Sequence, residues 1–563
     1  MTEPTNGARP SGDGGLKRRE VAMMPVVLGA VGAGTASAQP ALALDNASLS
    51  DLQEALAQGR VTSSDLTRAY IARIEAYDRQ GPGLNSVRVT NPDALSIAAG
   101  LDGVKPSASR PLAGLPILVK DNIATGDRQP TTAGSLALDG AHAKDDAPVI
   151  KRLRQAGAVI LGKANLTEFA NILAVGMPSG YSSIAGYVRN PYSPRLMANG
   201  APVVLPGGSS AGSAVAVAAG LCAAAIGTET SGSLLSPATQ NGLVTVKPTV
   251  GLISRSGIIP ISHSQDTAGP LTRTVRDSAI LLNVLAARDP DDPATHLLQR
   301  PDDYTAGLDK DGLKGARIGV PSDPDDPLND PFYGPLSVRA KAVMAQAIRV
   351  LEDLGATVVR AAIPPIGWIG GPGTTMPVLN RNPLSPAKGT PGPASVVFLY
   401  ELKRDLNLYL RDWATTTQMK TMADVIAFNT ENADKALRYG QDLFLAAEAT
   451  RGDLSELEYK SARAMDLMAA KERGMDAYMD RHRLDAVVFP GASGSSIAAK
   501  PGYPSVQVPA GFISGVGKTE TPDYPLGLTF AGRAWSEATL LRLAYAYEKA
   551  TNARRPPPDL PPL

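Results

Sequence analysis

The chain has 563 residues, of which 43% are hydrophobic and 19% are charged, an ordinary composition for a folded soluble protein. Its 55 lysines and arginines are balanced by 54 aspartates and glutamates, which argues against a nucleic-acid partner because such a partner requires a basic surface. The one cysteine, Cys222, excludes an intramolecular disulfide. Its apolar neighbours predict a buried structural thiol.

Residues 1–38 have the pattern of an export signal. A basic stretch at 17–19 precedes an apolar run over 21–33, and residues 36–38 form an A-x-A cleavage site. The paired arginines resemble a twin-arginine signal, although the usual preceding hydroxyl residue and following Phe are missing. The apolar run is too short and too rich in Gly and Ala to span a bilayer. We therefore expect an exported, periplasmic protein that is cleaved near Ala38 and has no stable membrane insertion; a disordered arm is the alternative.

The elements predicted from hydrophobic periodicity alternate between helices and strands. In chain order they are a helix over 51–78 with Ser63 or Ser64 as N-cap, a buried strand over 115–120, a helix ending near Gly157 with a strand over 158–161, a helix over 274–287 capped by Thr274, a helix and strand over 343–361, and a buried strand over 484–490. This alternation predicts an α/β layer structure with helices on both faces of one sheet.

The length of the chain allows three or four average domains, but the alternation of strands and helices favours one large domain over residues 39–555. A stretch rich in Pro and Gly at 364–395 predicts a long loop, which is either a lid on a substrate cleft or a surface excursion. Residues 556–563 are rich in proline and predict an extended surface tail.

The sequence lacks the motifs of several enzyme classes. Its four histidines form no H-E-x-x-H motif and no Cys/His cluster that would hold zinc. It contains neither a P-loop nor a G-x-G-x-x-G fingerprint after a strand. Metal hydrolases, nucleotide enzymes and nicotinamide oxidoreductases therefore lose support, and we expect no cofactor and no metal.

Two serine-containing turns and one lysine are candidates for catalysis. Lys120 closes a predicted buried strand, where desolvation would lower its pKa from about 10.4, although a lysine extending from a strand end to water is the alternative. Ser209 and Ser210 follow Pro-Gly-Gly at the start of an apolar helix, and Ser210 fits the G-x-S-x-G nucleophile elbow. That elbow needs a histidine such as His263 or His482, and the preceding proline spoils its strand-turn-helix context.

The second turn is "GTETSGS", which ends at Ser233 and follows an apolar run. Consecutive backbone N–H groups in a turn of small residues can converge on one point and stabilise an oxyanion.

Taken together, "GLPILVKDN", "PGGSSAGSAVAVAAG", "GTETSGS" and the segment that follows Gly242 resemble the amidase signature family. The form of the last two segments looks closest to bacterial peptide amidases and aryl acylamidases. The resemblance covers most of the chain after residue 51. It implies a single large domain with a central mixed β-sheet sandwiched by helices.

The resemblance also implies a Ser–cis-Ser–Lys triad in which Lys120 is the base, Ser209 the relay after a cis peptide bond, and Ser233 the nucleophile. The backbone N–H groups of Thr230, Ser231, Gly232 and Ser233 would form the oxyanion hole, and Ser210 would support the triad. Such an enzyme hydrolyses a carboxamide or anilide C–N bond of a small-molecule or peptide substrate through an acyl-enzyme.

The chain departs from common forms of the family pattern at two positions. Ser231 stands where many members have Gly, and Leu235 stands where many have Arg. Three alternatives to an amidase remain: a carbamate or ester hydrolase with the same triad, the A subunit of a glutamyl-tRNA amidotransferase, and an inactive binding module. An export signal argues against the second, and the filled triad positions argue against the third.

Overall fold

A mixed sheet of 11 strands runs through the part of the chain that the computed structural model describes, residues 43–322, 330–363, 373–385, 387–514 and 523–561. The export signal predicted at 1–38 lies outside these residues, as do positions 364–372 and 386 of the predicted loop. Residues Leu42–Pro562 pack as one compact unit.

The strands are short, and those in the middle of the large sheet are mostly buried. They are β1 (Val87–Thr90), β2 (Pro116–Lys120), β3 (Val159–Ala164), β4 (Tyr181–Ser182), β5 (Gly186–Tyr187), β6 (Ala224–Glu229), β7 (Val244–Lys247), β8 (Thr267–Thr272), β9 (Arg317–Val320), β10 (Thr357–Arg360), β11 (Thr375–Leu379), β12 (Pro391–Ser395), β13 (Ala486–Pro490), β14 (Ser505–Ile513) and β15 (Tyr524–Ala531).

The α-helices of the described residues pack around this sheet or extend from it. They are α1 (Leu49–Ala57), α2 (Ser63–Arg73), α3 (Ala94–Ala99), α4 (Pro148–Gln155), α5 (Ala211–Ala218), α6 (Leu235–Gln240), α7 (Val275–Leu285), α8 (Val338–Asp353), α9 (Val396–Asp412), α10 (Met422–Glu431), α11 (Ala433–Ala436), α12 (Asp442–Glu448), α13 (Leu457–Leu467), α14 (Ala477–His482), α15 (Ser495–Ala499) and α16 (Glu537–Thr551). Two π-helical turns, Ile74–Arg79 and Met468–Asp476, continue α2 and α13.

The strand order of the large sheet is β1-β3-β2-β6-β8-β7-β14-β15-β13-β9-β10. Strand β2 pairs in parallel with both β3 and β6, whereas β8, β7, β14 and β15 form antiparallel pairs in the middle of the sheet. Because the carboxyl ends of parallel strands lie at the same edge of a sheet, the ends of β2 and β6 are neighbours. Lys120 ends the first strand and Glu229 ends the second, so the sheet brings two of the predicted motifs together.

Both faces of the large sheet are covered. Every residue of β2, β3, β6, β7, β8 and β13 is buried, which is typical of strands with helices on each side. Helix α5 is itself buried along its whole length because its side chains are all small or aliphatic. The predicted α/β class with a central mixed sheet is therefore confirmed. No helix among the described residues is long and apolar enough to cross a membrane.

The prediction of one helix over 51–78 was wrong. The segment forms α1 and α2, separated at Gly59, whose φ of 69° ends the first helix in the left-handed conformation that glycine adopts without strain. The N-cap of α2 is Thr62 rather than Ser63 or Ser64. Thr62 has an extended backbone and forms a reciprocal capping box with Asp65, whereas the two serines are already helical.

The other predicted elements agree with the structure to within a few residues. Thr274 caps α7 through the backbone N–H of Asp277, as expected. The predicted 364–395 loop contains a hairpin of β11 and β12 within its described part. The described part of the tail packs against the protein instead of lying free. Leu560 is buried, and the carbonyl of Pro561 accepts hydrogen bonds from Arg73 and Tyr77.

Candidate active site

Lys120 projects from the end of β2 toward the end of β6. Its Nζ atom lies 2.8 Å from Ser209 Oγ, 2.8 Å from Thr228 Oγ1 and 3.3 Å from the Thr228 carbonyl oxygen. The lysine is fully buried, so the alternative of a side chain extending to water is wrong. Asp121 faces away and binds Thr132. Lys120 and Ser209, predicted from segments 89 positions apart, are thus in direct contact.

The environment of Lys120 favours its neutral form. Burial lowers the pKa of this amine from its ordinary value of 10.5 to about 7, and the charges of Asp266 and Glu229 oppose that change only in part. A lysine in this state holds a free lone pair near neutral pH, which an exposed lysine does not.

Ser209 lies at the tight turn before α5. The peptide bond between Gly208 and Ser209 is cis, as the family resemblance implies. The Ser209 carbonyl accepts a hydrogen bond from the Thr167 backbone N–H at 3.0 Å. Gly207 has a φ of 73°, and a Cβ atom there would come within 2.6 Å of Pro237, so the turn requires glycine at this position.

Ser210 is tied to the strand beneath it. Its hydroxyl donates to the Thr228 carbonyl at 3.0 Å and accepts the Thr228 backbone N–H at 3.2 Å. Neither histidine weighed as its partner is bound to it: His263 binds Asp405, and the His482 ring packs against Tyr478. The geometry therefore does not support Ser210 as an elbow nucleophile.

Ser233 sits at the end of the turn formed by residues 230–233. Its carbonyl accepts the backbone N–H of Ser210 at 3.2 Å, which places it beside the paired serines. Among the described residues its hydroxyl is not hydrogen-bonded to Ser209, whose Oγ contacts Lys120. Ser233 is 8% exposed, whereas Ser209 and Lys120 are fully buried.

The backbone of this turn has unused donors. Within the described ranges, the N–H groups of Thr230, Ser231, Gly232 and Ser233 donate to no protein acceptor. Gly232 has a φ of 89°, which lets consecutive N–H groups turn toward one side. The predicted oxyanion residues therefore have the donors that the role needs.

Side chains from two directions hold this turn in place. On one side, Thr230 donates its hydroxyl to Asp266, and the Thr230 carbonyl accepts Gln265 Nε2 at 3.3 Å. On the other side, a Glu229 carboxylate oxygen accepts the backbone N–H groups of Leu234 at 2.6 Å and Leu235 at 3.0 Å. Since a trans peptide group points its carbonyl and its next N–H in opposite directions, holding the Thr230 carbonyl also orients the Ser231 N–H.

Burial raises the pKa of Asp266 to about 6, although the hydrogen bonds from Thr230 and from the backbone of Ser262 and Ile261 oppose this effect. Near neutral pH, Asp266 is therefore mainly ionised and supplies a negative charge to the site.

A cavity of about 270 Å³ borders Asp266, Thr228 and Thr230, and Ile259 and Trp413 form part of its apolar wall. This space is large enough for a small substrate group beside the turn.

Sequence reasoning missed several residues that shape the site. Asn122 donates to Thr228 Oγ1 at 3.0 Å, but it lies in the turn just after β2, where strand alternation gives no signal. Thr228 and Glu229 lie within the recognised turn motif but were given no role.

Cys222 is fully buried and burial raises its pKa to about 12, which agrees with a structural thiol.

Comparison with known proteins identifies the family to which the chain belongs. A family profile described as Amidase matches residues 65–369. The crystal structure of a native peptide amidase from Stenotrophomonas maltophilia is 42% identical, has a TM-score of 0.78, and aligns over 91% of this chain and 98% of that one. A probable amidase of Arabidopsis thaliana is 38% identical over 524 residues, covering 91% of this chain and 92% of its own.

A third relative is a component of a different enzyme, an amidotransferase. The glutamyl-tRNA(Gln) amidotransferase of Acinetobacter baumannii has an A subunit that is 32% identical over 518 residues, covering 90% of this chain and 97% of its own.

Proposed function

Because this chain belongs to the amidase signature family and is an amidase, we propose that it hydrolyses carboxamide or anilide C–N bonds through an acyl-enzyme on Ser233. In this proposal Lys120 is the base and Ser209 the proton relay. The observation that carries it is the contact of 2.8 Å between Ser209 Oγ and a fully buried lysine amine whose pKa is lowered to about 7. Burial favours the neutral amine, which is the form that can accept a proton from Ser209.

The contacts of Lys120 suit a neutral amine. Its two N–H bonds donate to the hydroxyl and the carbonyl of Thr228, and its lone pair then faces the Ser209 hydroxyl. Ser209 gives its proton to Lys120 and takes the proton of Ser233. The Ser233 oxygen attacks the substrate carbonyl, and the negative charge that develops on the carbonyl oxygen is stabilised by the N–H groups of the 230–233 turn.

The same relay completes the reaction. An amide nitrogen leaves poorly unless it is protonated, so the proton held by Lys120 returns through Ser209 to the leaving amine as the C–N bond breaks. Water then attacks the acyl-enzyme while the relay takes one of its protons. The products are a carboxylic acid and ammonia or an amine, and Ser233 recovers its proton.

The similarity to a peptide amidase supports C-terminal peptide amides as the first substrates to test. The experiment measures ammonia or amine release from matched peptide amides, anilides, carbamates and esters. We expect wild-type protein to release ammonia from peptide amides and Ser233→Ala to lose at least about 10³-fold in kcat. Unchanged turnover in Ser233→Ala would refute this mechanism, and turnover confined to carbamates or esters would reassign the substrate class.

A second candidate activity is the release of ammonia from glutamine for use by partner subunits. It is favoured by the 32% identity to a component of an amidotransferase. The two differ in what the isolated chain does. An amidase hydrolyses peptide amides alone, whereas an amidotransferase component would prefer free glutamine and respond to its partners.

We further propose that the protein is exported through a twin-arginine-like signal and cleaved near Ala38, on the sequence pattern given above. Intact-mass analysis of the secreted or periplasmic protein tests this. A mature chain beginning at Gln39 would support it, and a cell fractionation that leaves the full-length chain in the cytoplasm would overturn it.

A further inference from the structure

One short loop, residues 261–266, supplies both side chains that hold Thr230 in the oxyanion turn. Asp266 accepts the Thr230 hydroxyl and Gln265 donates to the Thr230 carbonyl. Asp266 is in turn held by the backbone N–H groups of Ile261 at 2.8 Å and Ser262 at 2.9 Å. The position of the Thr230 peptide therefore depends on the position of this loop.

The 261–266 loop is fastened to helix α9 by a fully buried carboxylate, Glu401. Ser264 donates its hydroxyl to both Glu401 oxygens, at 2.6 and 2.8 Å, and its backbone N–H to one of them at 3.2 Å. Ser262 donates its hydroxyl to the same group at 2.5 Å. Tyr459 on α13 also donates its hydroxyl to Glu401, at 2.7 Å.

A second carboxylate, one helical turn further along α9, binds the same loop. Asp405 accepts the His263 backbone N–H at 3.0 Å and lies 2.8 Å from the His263 Nδ1 atom. His263 Nε2 is 3.6 Å from Glu401, so all three side chains form one cluster. Because the oxygens of Glu401 already accept hydrogen bonds from hydroxyl and backbone groups, the cluster acts as a clamp on the loop rather than as a set of metal ligands.

We propose that Glu401 and Asp405 are positioning residues for the oxyanion turn, acting on Thr230 through the 261–266 loop. This inference rests on the proposed function, because it assigns the turn to the transition state. A charge-assisted hydrogen bond is stronger than a neutral one and fixes its partner more firmly. Four loop donors held by two carboxylates on one helix thus keep the loop, and with it the Ser231 N–H, in a single orientation.

A clamp of this kind has a specific kinetic consequence. The N–H groups of the turn act on charge that develops only in the transition state, so loosening them lowers kcat and leaves KM nearly unchanged. A purely structural role for Glu401 and Asp405 would instead lower the free energy of unfolding and leave kcat of the folded fraction unaltered.

The test uses the full-length protein with Glu401→Gln, Asp405→Asn and the milder Ser264→Ala, which removes a loop donor but leaves the side chain of Glu401 unchanged. Tyr400→Phe is the matched control, because Tyr400 is a buried neighbour on α9 whose hydroxyl binds Glu458 at 2.8 Å, and Phe retains the ring that stacks on Tyr459. The measurements are kcat and KM on a peptide amide, the urea midpoint, and hydrogen–deuterium exchange of the peptide spanning 228–235.

We expect kcat to fall about ten-fold or more in Glu401→Gln and by less in Ser264→Ala, with KM within about two-fold of wild type. Exchange in residues 228–235 should become faster in both, and Tyr400→Phe should match wild type. A wild-type kcat in Glu401→Gln and Ser264→Ala, or unchanged exchange at 228–235 in them, would overturn the proposal. Exchange is measured without substrate, so it tests the clamp even if wild-type protein hydrolyses no peptide amide, a result that would refute only the proposed function.

Discussion

Ser210 and Thr228 are joined by two hydrogen bonds that use the same hydroxyl in opposite directions. Ser210 Oγ donates to the Thr228 carbonyl at 3.0 Å and accepts the Thr228 N–H at 3.2 Å. Thr228 Oγ1 in turn lies 2.8 Å from the amine of Lys120. The hydroxyl at the centre of the apparent nucleophile elbow is therefore used to hold the partner of the base.

The first prediction concerns Ser210→Ala. We expect kcat to fall about ten-fold, equivalent to about 1.4 kcal/mol, because Thr228 loses a partner and Lys120 is held less firmly. Stability should fall by about 1–3 kcal/mol, since buried backbone groups are left unpaired. Steady-state kinetics and urea unfolding measure the two effects.

Ser213→Ala is the matched control for that change. Ser213 also lies on α5, and its hydroxyl donates to the Ile226 carbonyl on β6 at 3.2 Å, one helical turn away from the site. We expect it to lose stability but keep its kcat. A loss of activity in Ser210→Ala as complete as that of Ser233→Ala would instead favour the elbow.

The three triad positions were predicted from the family resemblance that several segments carry together, because each segment on its own left an alternative open. Lys120 ends an apolar strand, Ser209 precedes a helix of small residues, and Ser233 closes a Gly-containing turn, and each feature is visible within about ten residues. Asp266 and Glu401 were missed because their role depends on contacts with segments 36 and 137 or more positions away. No local periodicity carries that information.

In the fold, too, features with a local sequence signal were predicted and features set by distant contacts were not. The buried strands and the helix capped by Thr274 were predicted because hydrophobic runs and capping residues are local signals. The break at Gly59 was missed, although a glycine after a helical stretch is a known end signal, because the apolar stripe continues on both sides of it. The order of strands in the sheet was not predicted, because pairing is set by tertiary packing.

The pH dependence of the reaction follows from the pKa of Lys120. The reactive form is the neutral amine, so kcat/KM should rise with pH through about 7 and level off above it. Lys163→Met should keep this profile, because Lys163 is an equally buried lysine bound to Ile123 and Thr131 instead of to the paired serines. A wild-type profile that is flat between pH 5 and pH 9, which brackets that value, would contradict the assignment of Lys120 as base.

Asp266→Asn should shift the rise of kcat/KM with pH toward lower pH. The negative charge of Asp266 favours protonated Lys120 and raises its pKa, so removing the charge makes the neutral amine available in more acidic solution. At the pH-independent plateau, kcat should fall, because the Thr230 hydroxyl loses a charged acceptor. A pH–rate series on both proteins measures the two effects. A rise of kcat/KM that moves toward higher pH would show that the charge of Asp266 acts on another group.

The position of the acyl group on the enzyme shows directly whether Ser233, rather than Ser209 or Ser210, is the nucleophile. The protein is treated with a serine-reactive fluorophosphonate and separately with an activated ester of an acyl group, then digested and sequenced by mass spectrometry. We expect one adduct, on Ser233, in wild type and in Ser210→Ala, and none in Ser233→Ala. An adduct on Ser210 or Ser209 in wild-type protein would contradict the assignment of Ser233 as the nucleophile.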